Sequence, residues 1–244
     1  MDLISPSWPA PECVKALTTC RQGGFSQAPY ASLNLALHVD DDPTTVAKNR
    51  ARVSRRCSLP SEPIWLEQVH GVKVVDLDRI DKSSTLQADG SLSRQANTVC
   101  AVMTADCLPI LLCKSDGSAV AAIHAGWRGL LSGVVENAIA SLGEAEKILA
   151  WLGPAIGPGR FEVGEEVRRA FHLKSNVMAQ AFKASENSKY LADLYALVRI
   201  TLIQQGVKRI YGGDYCTYNQ PDKFYSYRRE PITGRMASFI WLQP

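Results

Sequence analysis

Three runs in the middle of the chain, TVCAVMTADC, PILLCKS and AVAAIHAG, are apolar nearly throughout, which predicts strands buried on both faces. Further strands are predicted at Val14 to Thr19, in IWLEQVHG and KVVDLD on either side of a His-Gly turn, in KILAWLG, in VKRIYGG and in MASFIWL. Helical spacing appears in PTTVAKNRARVSRRCSL, where Val46, Asn49/Arg50 and Val53 share a face behind Asp42-Pro43. It recurs in GLLSGVVENAIASLG, closed by Gly143, in GEEVRRAFHL, and in YLADLYALVRITLIQQG with its glycine stop. Strands and helices alternate without a regular βαβ rhythm, so the expected class is α+β, with helices covering the outer faces of the sheets.

Composition narrows this further. A chain of 244 residues that is 46% hydrophobic can fill a sizeable core. No repeat, low-complexity tract or linker divides it, so a single domain over residues 1–244 is expected. The net charge is +3 and no Lys/Arg run would track a phosphate backbone, so nucleic acid is not an expected partner. The opening residues lack a basic start and an apolar core, and no apolar run reaches about 18 residues; the expectation is a soluble cytoplasmic protein, with no membrane partner. Seven cysteines, an odd number at irregular spacing without a C-x-x-C pair, argue against a disulfide framework or a zinc ribbon.

Against this apolar background, His70 in EQVHG, Cys107 in TADC and His124 in AIHAGWRG each fall where a strand is read to end at a turn. Two imidazoles and a thiolate would suit zinc, or copper, and three protein ligands leave a fourth position open for chemistry. Asp106 and Glu67, close in sequence to these residues, are candidates to orient an imidazole or move a proton. The same residues also fit a Cys107 nucleophile with His124 as its base, and spacing does not separate the two readings. CRQGGFS and GPAIGPGR lack the ending of a phosphate-binding P-loop, although their backbone beside Arg21 or Arg160 could hold a phosphate or ribose. YSYRREPITGR gathers Arg228, Arg229 and Arg235, and HAGWRG sets Trp127 and Arg128 beside His124.

The strings EQVHG, TADCLPILL, AAIHAGWRGLLSG, GPAIGP and YSYRREPITGRMASFIWL, with PYASLNLALHVDDDPTTVAKNR near the start, closely resemble the YfiH/YlmD family of laccase-domain or polyphenol oxidoreductase proteins. The match is collinear from about Thr18 to Leu242. It implies a single-domain, layered α/β/β/α sandwich with mixed sheets, of the kind grouped with cysteine hydrolases. It also implies a metal site of His70, Cys107 and His124. The family is associated with phosphorolysis of adenosine, inosine, guanosine and methylthioadenosine and with adenosine deamination. Older readings give copper-dependent oxidation of phenols, and some members resemble editing factors acting on cytoplasmic peptidoglycan precursors.

A multicopper laccase needs many histidines, and this chain has His38, His70, His124 and His172 only. Deamination suits a zinc site better, by analogy of chemistry with unrelated zinc deaminases. The expectation is therefore a zinc-dependent purine nucleoside phosphorylase and adenosine deaminase, a monomer or homodimer taking purine nucleosides and phosphate. His70, Cys107, His124 and Asp106 are its expected catalytic residues. Arg50, Arg128, Arg160 and Arg228, in that order, are the phosphate candidates, and the loop from Gly23 to Asn34 is the candidate for ribose or base. A Cys-His hydrolase or amidase acting on a cell-wall precursor is the second class.

Overall fold

The structure, a computed structural model, describes residues 1–80 and 86–244. In chain order its strands are β1 (Leu3–Ile4), β2 (Val14–Thr19), β3 (Leu66–Glu67), β4 (Val74–Asp76), β5 (Leu86–Gln87), β6 (Gly90–Ser93), β7 (Cys100–Thr104), β8 (Leu108–Lys114), β9 (Val120–Ala125), β10 (Ile148–Leu152), β11 (Glu162–Val163), β12 (Phe182–Ala184), β13 (Tyr190–Ala192), β14 (Arg209–Gly212) and β15 (Met236–Leu242). The α-helices are α1 (Pro43–Arg56), α2 (Trp127–Ser132), α3 (Val134–Leu142), α4 (Glu165–Lys174) and α5 (Leu194–Gln204). None is long and apolar enough to cross a membrane.

Two main sheets are stacked. The first is antiparallel, in the order β1-β2-β15-β7; the second is mixed, in the order β14-β10-β8-β9-β6-β4, with parallel pairs at its two edges. Because side chains alternate along a strand, each sheet presents two apolar faces. Val14, Cys100, Val102, Ile240 and Leu242 of the first sheet meet Leu111, Cys113, Val120, Ala122 and Trp151 of the second. On its other face the second sheet packs Ile110, Leu112, Ala121 and Ile123 against α3, α4 and α5. The first sheet packs Ala101, Met103 and Phe239 against Leu33, Leu35 and Val53 of the long loop and α1. The layers are therefore α/β/β/α, as the resemblance implies.

Two predicted helices differ in detail. GLLSGVVENAIASLG, read as one helix, is two, because Gly133 sits at φ +109, a left-handed backbone that ends α2 and starts α3 at a new angle. YLADLYALVRITLIQQG does not begin as a helix: Tyr190–Ala192 is β13, the centre strand of a small sheet with β11 and β12. Asp193 then caps α5 by accepting from the Ala196 N–H. Pairing on both edges outweighs the local helical pattern there.

Candidate metal centre

The chain crosses between the two sheets after β7. β7 belongs to the first sheet and β8 to the second, and Ala105, Asp106 and Cys107 make the crossing. Asp106 turns the corner at φ +97, and its carboxylate anchors the turn by accepting from the Thr217 hydroxyl (2.5 Å) and the Arg228 N–H (2.7 Å). Cys107 follows, one residue before β8.

His124 lies within β9, one residue before its end. Val120 and Ala122, at two-residue spacing from it, face the gap between the sheets, so His124 faces the same side and is buried there. His70 comes from the turn between β3 and β4, in a left-handed conformation at φ +58. Gln68 fastens that segment to the neighbouring sheet, since its side-chain amide donates to the Met103 carbonyl (2.8 Å) and accepts from the Met103 N–H (2.7 Å).

These elements bring His70, Cys107 and His124 together, with one ligand atom from each lying within 4.8 Å of the others. Cys107 Sγ is 3.8 Å from His70 Nε2, and the imidazoles meet edge to face at 4.8 Å between centroids. Gly126 completes the close approach: a Cβ there would stand 2.8 Å from His70 Cδ2 and 3.0 Å from Cys107 Sγ. Burial works to raise the Cys107 thiol, but the neighbouring imidazoles of His124 and His70 outweigh it and hold the thiol below its ordinary range. Burial works to lower His124, and the Cys107 thiolate and Asp89 raise it on balance. Two imidazole nitrogens and a thiolate poised to ionise are a donor set that fits a borderline-soft divalent ion. Among the described residues this is the group able to hold a metal.

The acid next to the imidazoles is Asp89, which sequence reasoning missed. Its Oδ1 accepts from His124 Nδ1 at 2.8 Å, and its carboxylate also accepts from the N–H groups of Val69, His70 and Gly71. Burial opposes this charge; the bonds from His124, Gly71 and Val69 more than offset it, and the carboxyl titrates below its usual range. Neither expected acid occupies that position. Asp106 is engaged by Thr217 and Arg228, and Glu67 is exposed on β3. The only hint in the sequence was an acid in the short run ADGSLS, where full burial demands partners.

The basic candidates separate by position. Arg50 donates from Nε to the Leu35 carbonyl and stacks on Trp65 at 3.9 Å. Arg128 is exposed over Trp127. Arg160 is exposed and donates to Asn219, and the Arg228 guanidinium reaches away to the Glu162 carbonyl. Arg235, noted on sequence only as part of a basic cluster, lies close enough to Cys107 and Asp106 to feel both charges. His38 is exposed and close enough to Arg235, Arg50 and His124 to feel their charges. Asn34 does not present its amide to a ligand: it is fully buried, donating to Ala36 O and Asp41 and accepting from the Ala36 and Arg235 N–H groups. It shapes the loop and seats Arg235, because a buried amide with four bonds made has no capacity left for ribose.

Known proteins share this fold. A crystal structure of a Neisseria meningitidis protein superposes with a TM-score of 0.95 at 46% identity, covering 100% of both chains. That of YlmD from Geobacillus stearothermophilus gives 0.89 at 29% identity, over 97% of this chain and 94% of that one. Relatives from Escherichia coli (strain K12) and Pseudomonas aeruginosa, 52% and 51% identical over 98% of each chain, are named purine nucleoside phosphorylase, the first of them YfiH. The family model described as multi-copper polyphenol oxidoreductase laccase matches residues 15–243, and the chain belongs to that family.

Proposed function

We propose that this protein is a zinc-dependent purine nucleoside phosphorylase acting on adenosine, inosine, guanosine and methylthioadenosine, with adenosine deaminase activity at the same site. The observation that carries the reading is the His70–Cys107–His124 cluster where the chain crosses between the sheets, with Arg235 close enough to Cys107 to feel its charge. The relatives named purine nucleoside phosphorylase support the choice of reaction.

In phosphorolysis a phosphate oxygen bonds to ribose C1′ as the bond from C1′ to the purine nitrogen breaks, and the departing purine takes up a proton. The attack requires phosphate held against the sugar, and fixed cations supply the means. Arg235, which feels the charges of Cys107 and Asp106, is the first arginine assigned to it, followed by Arg50 and by Arg128, four residues after His124. His70, Cys107 and His124 would hold the ion, which would supply Lewis acidity when bound. His38, an exposed residue whose imidazole is held below its ordinary range by desolvation and by the charges of Arg235, Arg50 and His124, is the neutral proton carrier assigned to the site. Asp106 acts by fixing the turn that delivers Cys107.

Incubating the zinc-loaded protein with adenosine and phosphate should yield adenine, ribose-1-phosphate and inosine. Absence of all three removes this reading. One observation favours a second: Cys107, His124 and Asp89 stand in the order of a nucleophile, a base and its orienting acid. A Cys-His hydrolase or amidase acting on a peptidoglycan precursor would use them so. Metal analysis of protein purified without added metal discriminates, since about one zinc per chain, lost in His70→Ala, supports the phosphorylase. Metal-free protein whose Cys107 is consumed by a thiol-directed probe supports the hydrolase.

A further inference from the structure

One buried carboxylate touches both histidine segments of the site. Asp89 immediately precedes β6, which lies between β4 and β9 in the second sheet. β4 follows the turn that carries His70, and β9 carries His124, so β6 is placed to reach both. Its approach to β9 is tight: a Cβ at Gly90 would stand 2.7 Å from Ile123 Cδ1.

From that position Asp89 divides its two oxygens. Oδ2 accepts from the Val69 and Gly71 N–H groups at 3.2 and 2.6 Å; Oδ1 accepts from the His70 N–H at 2.9 Å and from His124 Nδ1 at 2.8 Å. Three successive backbone N–H groups turned toward one anion form a nest, and the nest requires the left-handed turn seen at His70. That conformation is disfavoured for a residue with a Cβ, and the charge-assisted bonds offset its cost. The same carboxylate, an acceptor only, keeps a proton of His124 on Nδ1 and so leaves Nε2 as the ring nitrogen available on the Cys107 side.

We infer that Asp89 is the positioning residue of the centre, setting the backbone of His70 and the tautomer of His124 at once. The inference deepens the metal-centre reading above and rests on it for the role of zinc, but not for the geometry. Asp89→Asn is the sharp variant, because it preserves shape while all four partners of Asp89 are donors. An amide that keeps its oxygen on Val69 and Gly71 turns its NH₂ toward His124 Nδ1. The imidazole then has to bare that nitrogen and carry its proton on Nε2, the atom needed for metal.

Two measurements decide the matter. In metal-free protein with ¹⁵N-labelled histidine, long-range ¹H–¹⁵N spectra should show His124 Nδ1 protonated in the unsubstituted chain and bare in Asp89→Asn. Zinc affinity, read by competition with a chromophoric chelator, should fall about 10- to 100-fold in the variant. An unprotonated Nδ1 in the unsubstituted protein overturns the inference, and that spectrum needs no variant that folds. Unchanged tautomer and unchanged affinity in a folded Asp89→Asn overturn it as well. If the unsubstituted chain binds no zinc, the metal reading fails by itself, and the tautomer spectra still decide the role of Asp89.

Discussion

At the residue scale, Gly126 is the position whose missing Cβ leaves room for both His70 and Cys107. In Gly126→Ala the methyl group must push the ring or the sulfur aside, a strain of about 1–3 kcal/mol. Much of that strain falls on ligand placement, so zinc affinity should drop roughly 10- to 100-fold while the thermal midpoint moves by only a few degrees. Chelator competition and a thermal melt on one preparation check this; wild-type affinity in the variant would show that the site yields freely. His38 supplies a pH test. Desolvation and the charges of Arg235, Arg50 and His124 hold its folded-state value below the ordinary 6.5. Above about pH 6.5 the imidazole is neutral in both states and the contribution is constant. Below it the unfolded chain takes the proton first, so stability is lost as pH falls from 6.5 toward the lower folded value. His38→Gln should flatten that slope in urea unfolding between pH 7 and pH 5.5, and parallel slopes would contradict the assignment.

Among the elements, α1 does more than cover the first sheet. Asp42 caps it by accepting from the Thr44 and Thr45 N–H groups, and Asn49, buried on its inner face, reaches into the long loop. Asn49 accepts from the Phe25 N–H and donates to Ser26 Oγ and to the carbonyls of Ser32 and Asn34. Asn49→Ala leaves several of these groups buried without partners and should cost about 2 kcal/mol, with limited proteolysis appearing first between Gly23 and Asn34. An unchanged urea midpoint would show that the loop holds itself. The helix was legible in the sequence because its start, stripe and stop are local signals. So were β7, β8 and β9, whose runs are apolar without interruption, and with them the positions of Cys107 and His124 as polar exceptions. IWLEQVHG, by contrast, contains only the two-residue β3, because Gln68 and the nest on Asp89 hold the rest. β13 and the break at Gly133 depend on partners or on a single backbone angle that periodicity does not record. Asp89 and Arg235 were illegible as site residues for the same reason: sheet order, not spacing, brings them to His124 and Cys107.

Across the whole molecule, the centre draws on three separate stretches of chain held by two sheets. His70 enters from the β3–β4 turn, Cys107 from the crossing between the sheets, and His124 from β9. In the unfolded chain these ligands are 37 and 17 residues apart by their numbers, so an ion that binds all three binds the native state alone. Its free energy then adds to folding as RT ln(1 + [L]/Kd), about 2.7 kcal/mol at a hundredfold excess over Kd. Loading zinc should raise the thermal midpoint by several degrees, and a chelator should return it to the metal-free value. His70→Ala removes a ligand from an exposed turn while leaving both sheets intact, so its metal-free midpoint should stay near that of the parent chain. Its response to zinc should vanish. A zinc-dependent rise of equal size in His70→Ala would place the stabilising ion elsewhere in the molecule and separate the His70–Cys107–His124 cluster from it.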